Sequence, residues 1–213
     1  MIGHIKLFPI IISTIIFNLT VNATESSNIN KSDKIIFIGN SITEFWSSNS
    51  DFFSKNIQYI NKGISGQTSP QILKRFFKDV VIEQANSVVV LAGINDIAQN
   101  TGPITIAEIA NNIFKMCDIA ISNNIKIIIC SVLPTDEFTW NPLINPTYKI
   151  INLNLLLRNY CRKNNITYVN YYSKMVDWKG GLKTPDYTEK YDLVHPNKNG
   201  YKKMEIILSN FIK

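Results

Sequence analysis

Histidine is nearly absent from this chain: there are two in 213 residues, His4 and His195. His4 falls in an N-terminal segment read below as a signal peptide, so any imidazole chemistry of the mature chain must use His195. Cysteine is also scarce. Cys117, Cys130 and Cys161 are an odd count with no pairing pattern, which does not describe a disulfide framework. Buried free thiols are expected, with one pair conceivable in an oxidising compartment. One mature histidine and no carboxylate cluster leave a two-metal site without support. There is no dense basic run and no interleaving of basic with aromatic residues, so the formal charge of +6 describes solvated surface rather than a nucleic-acid partner. Internal repeats and low-complexity tracts are missing as well.

What remains is ordinary globular composition, 45% hydrophobic and 18% charged, in a chain long enough for one full domain. Residues 1–23 read as a secretory signal peptide: Lys6 supplies the positive start, an apolar stretch follows, and Val21-Asn22-Ala23 offers a cleavage site. The stretch is too short and interrupted for a membrane span, so no stable membrane insertion is expected after its removal. Residues 24–32 are a polar, flexible lead-in and 33–213 the folded domain. A secreted or periplasmic location follows from the signal.

Short Ile- and Val-rich runs at 34–39, 57–61, 87–92, 125–130 and 166–170 read as strands covered on both faces. Amphipathic segments at 70–84, 103–122, 148–163 and 197–211 read as helices, with Pro103 in a first helical turn. Strand–helix alternation predicts an α/β domain with a five-stranded parallel sheet between two helical layers. Ligands of such sheets bind at the carboxyl ends of the strands. The segments there are Gly39-Asn40-Ser41-Ile42, Asn61-Lys62-Gly63, Gly93-Ile94-Asn95-Asp96 and, after a long polar loop, Asp192-Leu193-Val194-His195-Pro196.

These segments hold complementary chemistry. A serine hydroxyl attacks only if a base takes its proton, and imidazole suits that task near neutral pH. His195 is therefore the expected base for Ser41. Asp192, three residues before it, is placed to fix the imidazole tautomer. Ser41 also reads as a helix N-cap. Gly63 offers a backbone N–H and Asn95 a side-chain amide to a developing oxyanion, while a turn glycine and an Asx-turn residue are the alternative readings. Phe138 and Trp140, in the loop after the fourth strand, are candidates for a substrate wall or for ordinary packing.

The four segments, in this order, resemble the blocks of the SGNH hydrolases, also called GDSL esterases and lipases, over residues 34–211. That resemblance implies a flavodoxin-like sheet of order 2-1-3-4-5 and an ester-hydrolysing serine with no metal and no organic cofactor. It implies an oxyanion hole from the Ser41 and Gly63 N–H groups and the Asn95 side chain. The usual Asp of the first block is Asn40 here and the usual Leu is Ile42; the acceptor oxygen is kept but a charge beside Ser41 is lost. A small-molecule or glycan ester substrate, with a short acetyl-type acyl group, is expected. A lysophospholipase or thioesterase acting on lipid acyl chains is the alternative. A binding module without turnover and an anion-binding phosphoesterase are the competing classes.

Overall fold

The computed structural model describes residues 33–212; the signal-peptide and lead-in expectations, residues 1–32, lie outside the described residues. The first strand, β1 (Ile35–Gly39), is buried along its whole length. It is followed by α1 (Ser41–Asn49), the short α2 (Phe52–Lys55) and β2 (Tyr59–Gly63). Next come α3 (Ser69–Phe76), which runs on into a π-helical turn over Phe77–Ile82, and β3 (Ser87–Leu91). The short α4 (Ile94–Ile97) and the long α5 (Ile106–Ser122) precede β4 (Lys126–Cys130). The chain closes with α6 (Thr147–Lys163), β5 (Thr167–Val169), α7 (Tyr172–Met175), a hairpin of β6 (Thr188–Glu189) and β7 (Asp192–Pro196), and α8 (Lys198–Leu208).

The five main strands form one parallel sheet of order β2-β1-β3-β4-β5, the expected α/β/α arrangement. β1 sits inside the sheet with β2 on one side and β3 on the other, so the chain reverses its direction of travel between β2 and β3. Ligand clefts of open α/β sheets form at such a switch point. The register puts Gly39 opposite both Gly63 and Leu91, so β1, β2 and β3 end level with one another. The segments after them therefore share one rim.

Sequence accounts for most element boundaries. In α5 the buried residues Ile109, Ala110, Ile113, Met116, Cys117 and Ala120 follow the helical period. The helix starts at Ile106, not at Pro103 as expected. Thr105 and Glu108 form a capping box there, each side chain satisfying the other's backbone N–H. β2 begins at Tyr59, leaving Ile57 almost fully exposed outside it. The three cysteines are free and buried, and burial pushes the Cys130 thiol up to about 12 and that of Cys161 up to about 11. Among the described residues no helix is long and apolar enough to cross a membrane.

Candidate functional site

Asn40, at the end of β1, takes the N-cap position of α1, and its Oδ1 accepts a hydrogen bond from the Ile42 N–H at 3.1 Å. Ser41 is thus not the cap but the first helical residue. A backbone N–H at that position has no acceptor within its own helix. The Asn40 side chain is buried, and its Nδ2 has no hydrogen-bond partner among the described residues.

Ser41 Oγ lies 2.8 Å from His195 Nε2, although 154 residues separate them. The segment that follows the long polar loop is itself a strand, and His195 stands in β7 of the small hairpin. Thr188, fully buried in β6, holds that strand by donating its hydroxyl to the carbonyls of His195, at 2.7 Å, and of Asp192. The Asp192 carboxylate folds back over its own strand. It accepts the backbone N–H groups of Val194 at 3.2 Å and His195 at 3.0 Å, and lies 2.8 Å from His195 Nδ1. Burial opposes ionisation of Asp192, but the hydrogen bonds from the His195 side chain and from these amides outweigh it and hold the carboxyl below its usual value. With Asp192 accepting from Nδ1–H, the hydrogen-bond network assigns the lone pair to Nε2, facing the Ser41 hydroxyl. A hydroxyl in that position can pass its proton to the ring as it attacks.

Two contacts absent from the sequence reading tie α1, which carries Ser41, to α8, which follows His195. The buried Tyr201 hydroxyl donates to the Ile42 carbonyl at 2.9 Å. Trp46 Nε1 donates to the buried Glu205 carboxylate at 3.2 Å. The Phe45 ring lies 5.3 Å from that of His195 and covers one flank of it.

Gly63 is the last residue of β2 rather than a turn. Its N–H donates to Asn61 Oδ1 at 2.8 Å, a bond that must loosen or be shared before this amide can serve an oxyanion. The missing side chain has a clear cause: a Cβ there would lie 2.1 Å from the Glu44 nitrogen of α1. Glycine at 63 makes room for the helix that carries Ser41. Asn95, in α4, donates Nδ2–H to the Gln67 carbonyl at 3.0 Å, leaving its second amide hydrogen for another acceptor. Its buried neighbour Asp96 accepts from Ser69 N–H at 2.9 Å and Ser69 Oγ at 2.6 Å, securing the start of α3. Burial raises the Asp96 pKa above its ordinary value, and the Ser69 hydrogen bonds only partly offset this.

Arg75, expected with the other basic residues to be solvated surface, is instead largely buried on α3. Its guanidinium reaches the Gly39 carbonyl at 3.0 Å, Gln67 Oε1 at 2.6 Å and Asp79 Oδ2 at 2.7 Å. One cation thus fixes the end of β1, two residues before Ser41, and the Gln67 segment that orients Asn95.

The two aromatic candidates part company. Phe138 is fully buried, packs 5.2 Å from the Trp140 ring and offers no surface to a ligand, so its place as a wall residue is corrected to core. Trp140 is half-exposed, and its Nε1 donates to Asn100 Oδ1 at 3.2 Å. The Asn100 N–H in turn donates to the Asn95 carbonyl, which places the Trp140 ring beside the end of α4.

The model of the GDSL-like lipase/acylhydrolase family matches residues 37–203. A solved GDSL-like lipase from Bacteroides thetaiotaomicron is 42% identical, with a TM-score of 0.81 over 85% of this chain and 88% of that one. A second structure, from Bacteroides fragilis, is also 42% identical, with a TM-score of 0.80 over 84% and 86% of the two chains. An acetyl xylan esterase from Geobacillus stearothermophilus shares the fold alone, at 16% identity and a TM-score of 0.68 over 84% and 94%. No protein with a curated description matches the chain. Its sheet order, the four rim segments and the family match agree: the chain belongs to the GDSL-like lipase/acylhydrolase family.

Proposed function

We propose that this acylhydrolase is a serine esterase that cleaves carboxylic esters through an acyl-Ser41 intermediate, acting outside the cytoplasm on short acyl groups carried by carbohydrate. The observation that carries the reading is the Ser41–His195–Asp192 line, with contacts of 2.8 Å at both steps. His195 takes the Ser41 proton as the hydroxyl attacks the ester carbon. The imidazolium, stabilised by the Asp192 carboxylate, then protonates the leaving alcohol, and the same ring activates water to release the acid. The Ser41 N–H and the Asn95 amide supply donors to the tetrahedral oxyanion. The location rests on the signal-like N-terminus. The short acyl group rests on the family resemblance, and the saccharide on the polar surface beside His195.

A fluorophosphonate probe tests the reading. It is expected to label the wild-type chain at Ser41 and to stop turnover of p-nitrophenyl acetate, while Ser41→Ala and His195→Ala fold normally and give neither labelling nor turnover. Undiminished turnover by Ser41→Ala would sink it.

A further inference from the structure

We infer that the alcohol side of the ester is a neutral glycan chain several sugars long, held in a polar groove that runs from His195 along α1; this rests on the esterase reading above. In α1, Ser41, Phe45 and Asn49 stand four residues apart and so share one face of the helix. Ser41 to Asn49 spans about 12 Å at 1.5 Å per residue. Along that face, on the side of β7 and α8, lies a cleft of about 560 Å³ walled by Phe45, Asn49, Glu189, His195, Lys198 and Asn199. A second cleft of about 550 Å³ continues past Asn49 and Lys198, which line both, to Ser50, Asp51, Ser54 and Lys202. Each volume is within the usual range for a ligand site.

Position and chemistry both select the occupant. The leaving oxygen must take its proton from His195, so the alcohol lies against the residue that opens the first cleft. Most of the lining side chains carry an amide, hydroxyl, carboxylate or ammonium group between apolar stems, a mixture that suits the O–H and C–H faces of a polyol. Phe45 is an aromatic face next to the reacting centre, where the C–H face of a sugar ring can rest. Glu189, Asp192 and Asp51 face the clefts beside Lys198 and Lys202, and Lys202 is itself paired with Glu205, so no excess of positive charge calls for an anionic polymer. The second cleft has no apolar side chain in its lining, which disfavours an acyl chain there. Its continuation beyond Asn49 calls for a chain rather than one sugar.

The test compares kcat/KM on acetylated mono-, tri- and hexasaccharides of one neutral glycan, with p-nitrophenyl acetate as the measure of esterase competence and a lysophospholipid as the rival substrate. The wild type is expected to gain about tenfold from mono- to hexasaccharide, mainly through KM. Asn49→Trp, which obstructs the junction of the two clefts, is expected to erase that gain, with far-ultraviolet circular dichroism confirming the fold. Turnover of p-nitrophenyl acetate with no dependence on glycan length, or a length dependence that survives Asn49→Trp, overturns the groove and leaves the esterase standing. Faster turnover of the lysophospholipid than of every glycan also overturns it. No turnover of p-nitrophenyl acetate refutes the esterase reading and the groove with it.

Discussion

Gly63→Ala separates two reasons for a glycine at the end of β2. Alanine keeps the backbone N–H, so an oxyanion role alone predicts little change. The packing predicts a large one. The added Cβ would sit 2.1 Å from Glu44 N and 2.7 Å from both Glu44 Cα and the Thr43 carbonyl carbon. Ordinary contact begins at 3.4 Å, so β2 and α1 must part by about 1.3 Å, the difference between 3.4 and 2.1. These are backbone atoms in the first turn of α1, and no rotamer change relieves the clash. Overpacking of this kind costs about 1–3 kcal/mol. Ser41 lies in the same turn, three residues before Glu44, and moves with it, while His195 is held by the separate β6–β7 hairpin. A displacement of about 1 Å at the reacting centre costs on the order of 10²-fold in rate. Urea unfolding and kcat/KM on p-nitrophenyl acetate measure the two effects. Reduced stability with full activity would show that β2 yields and α1 does not, and would refute the coupling of this contact to Ser41.

Asp192→Asn offers Nδ1 an amide in place of a carboxylate and favours the wrong tautomer; kcat is expected to fall by up to about 10⁴-fold, and a near-normal kcat would remove Asp192 from the mechanism. Arg75→Met leaves the Gly39 carbonyl, Gln67 Oε1 and Asp79 without their cation. Breaking a largely buried pair costs about 3–5 kcal/mol, and kcat is expected to fall more than KM rises, with partial recovery in Arg75→Lys. An unchanged kcat in a stably folded Arg75→Met would show that the network does not orient Asn95. Asp96 has a native pKa raised above 3.8 by burial. Its contribution is therefore fully present below the unfolded value and is lost as pH rises through the raised one. Wild-type stability minus that of Asp96→Asn is expected to shrink as pH climbs through that window; a difference that grows with pH contradicts the burial argument.

The sheet was legible because a strand covered on both faces has to be apolar almost throughout, and the Ile- and Val-rich runs of β1, β3 and β4 are. Edge and boundary were harder to read. Ile57 looks like core in sequence, yet β2 is an outer strand and pairs with β1 only from Tyr59. The true start of α5 was written in the Thr105-x-x-Glu108 spacing, a stronger signal than a proline two residues upstream. The Asp192–His195 pairing was legible because three residues suffice to bring a carboxylate back to an imidazole. The hairpin under it was not, since β6 has only two residues and shows no alternation to read. The contacts that tie the helix of Ser41 to the helix after His195 join residues 159 positions apart, so spacing carries no trace of them. One of the two nevertheless had a signal. In α8 the positions Tyr201, Met204, Glu205 and Leu208 follow the buried period of a helix, which puts a carboxylate on the apolar face. A buried carboxylate must meet a donor, since burial without a hydrogen bond costs several kcal/mol. The buried indole N–H of Trp46, one turn beyond Ser41, meets that demand. A charge out of phase with its helix's polar face was thus the one mark in the sequence of how its two distant halves are joined.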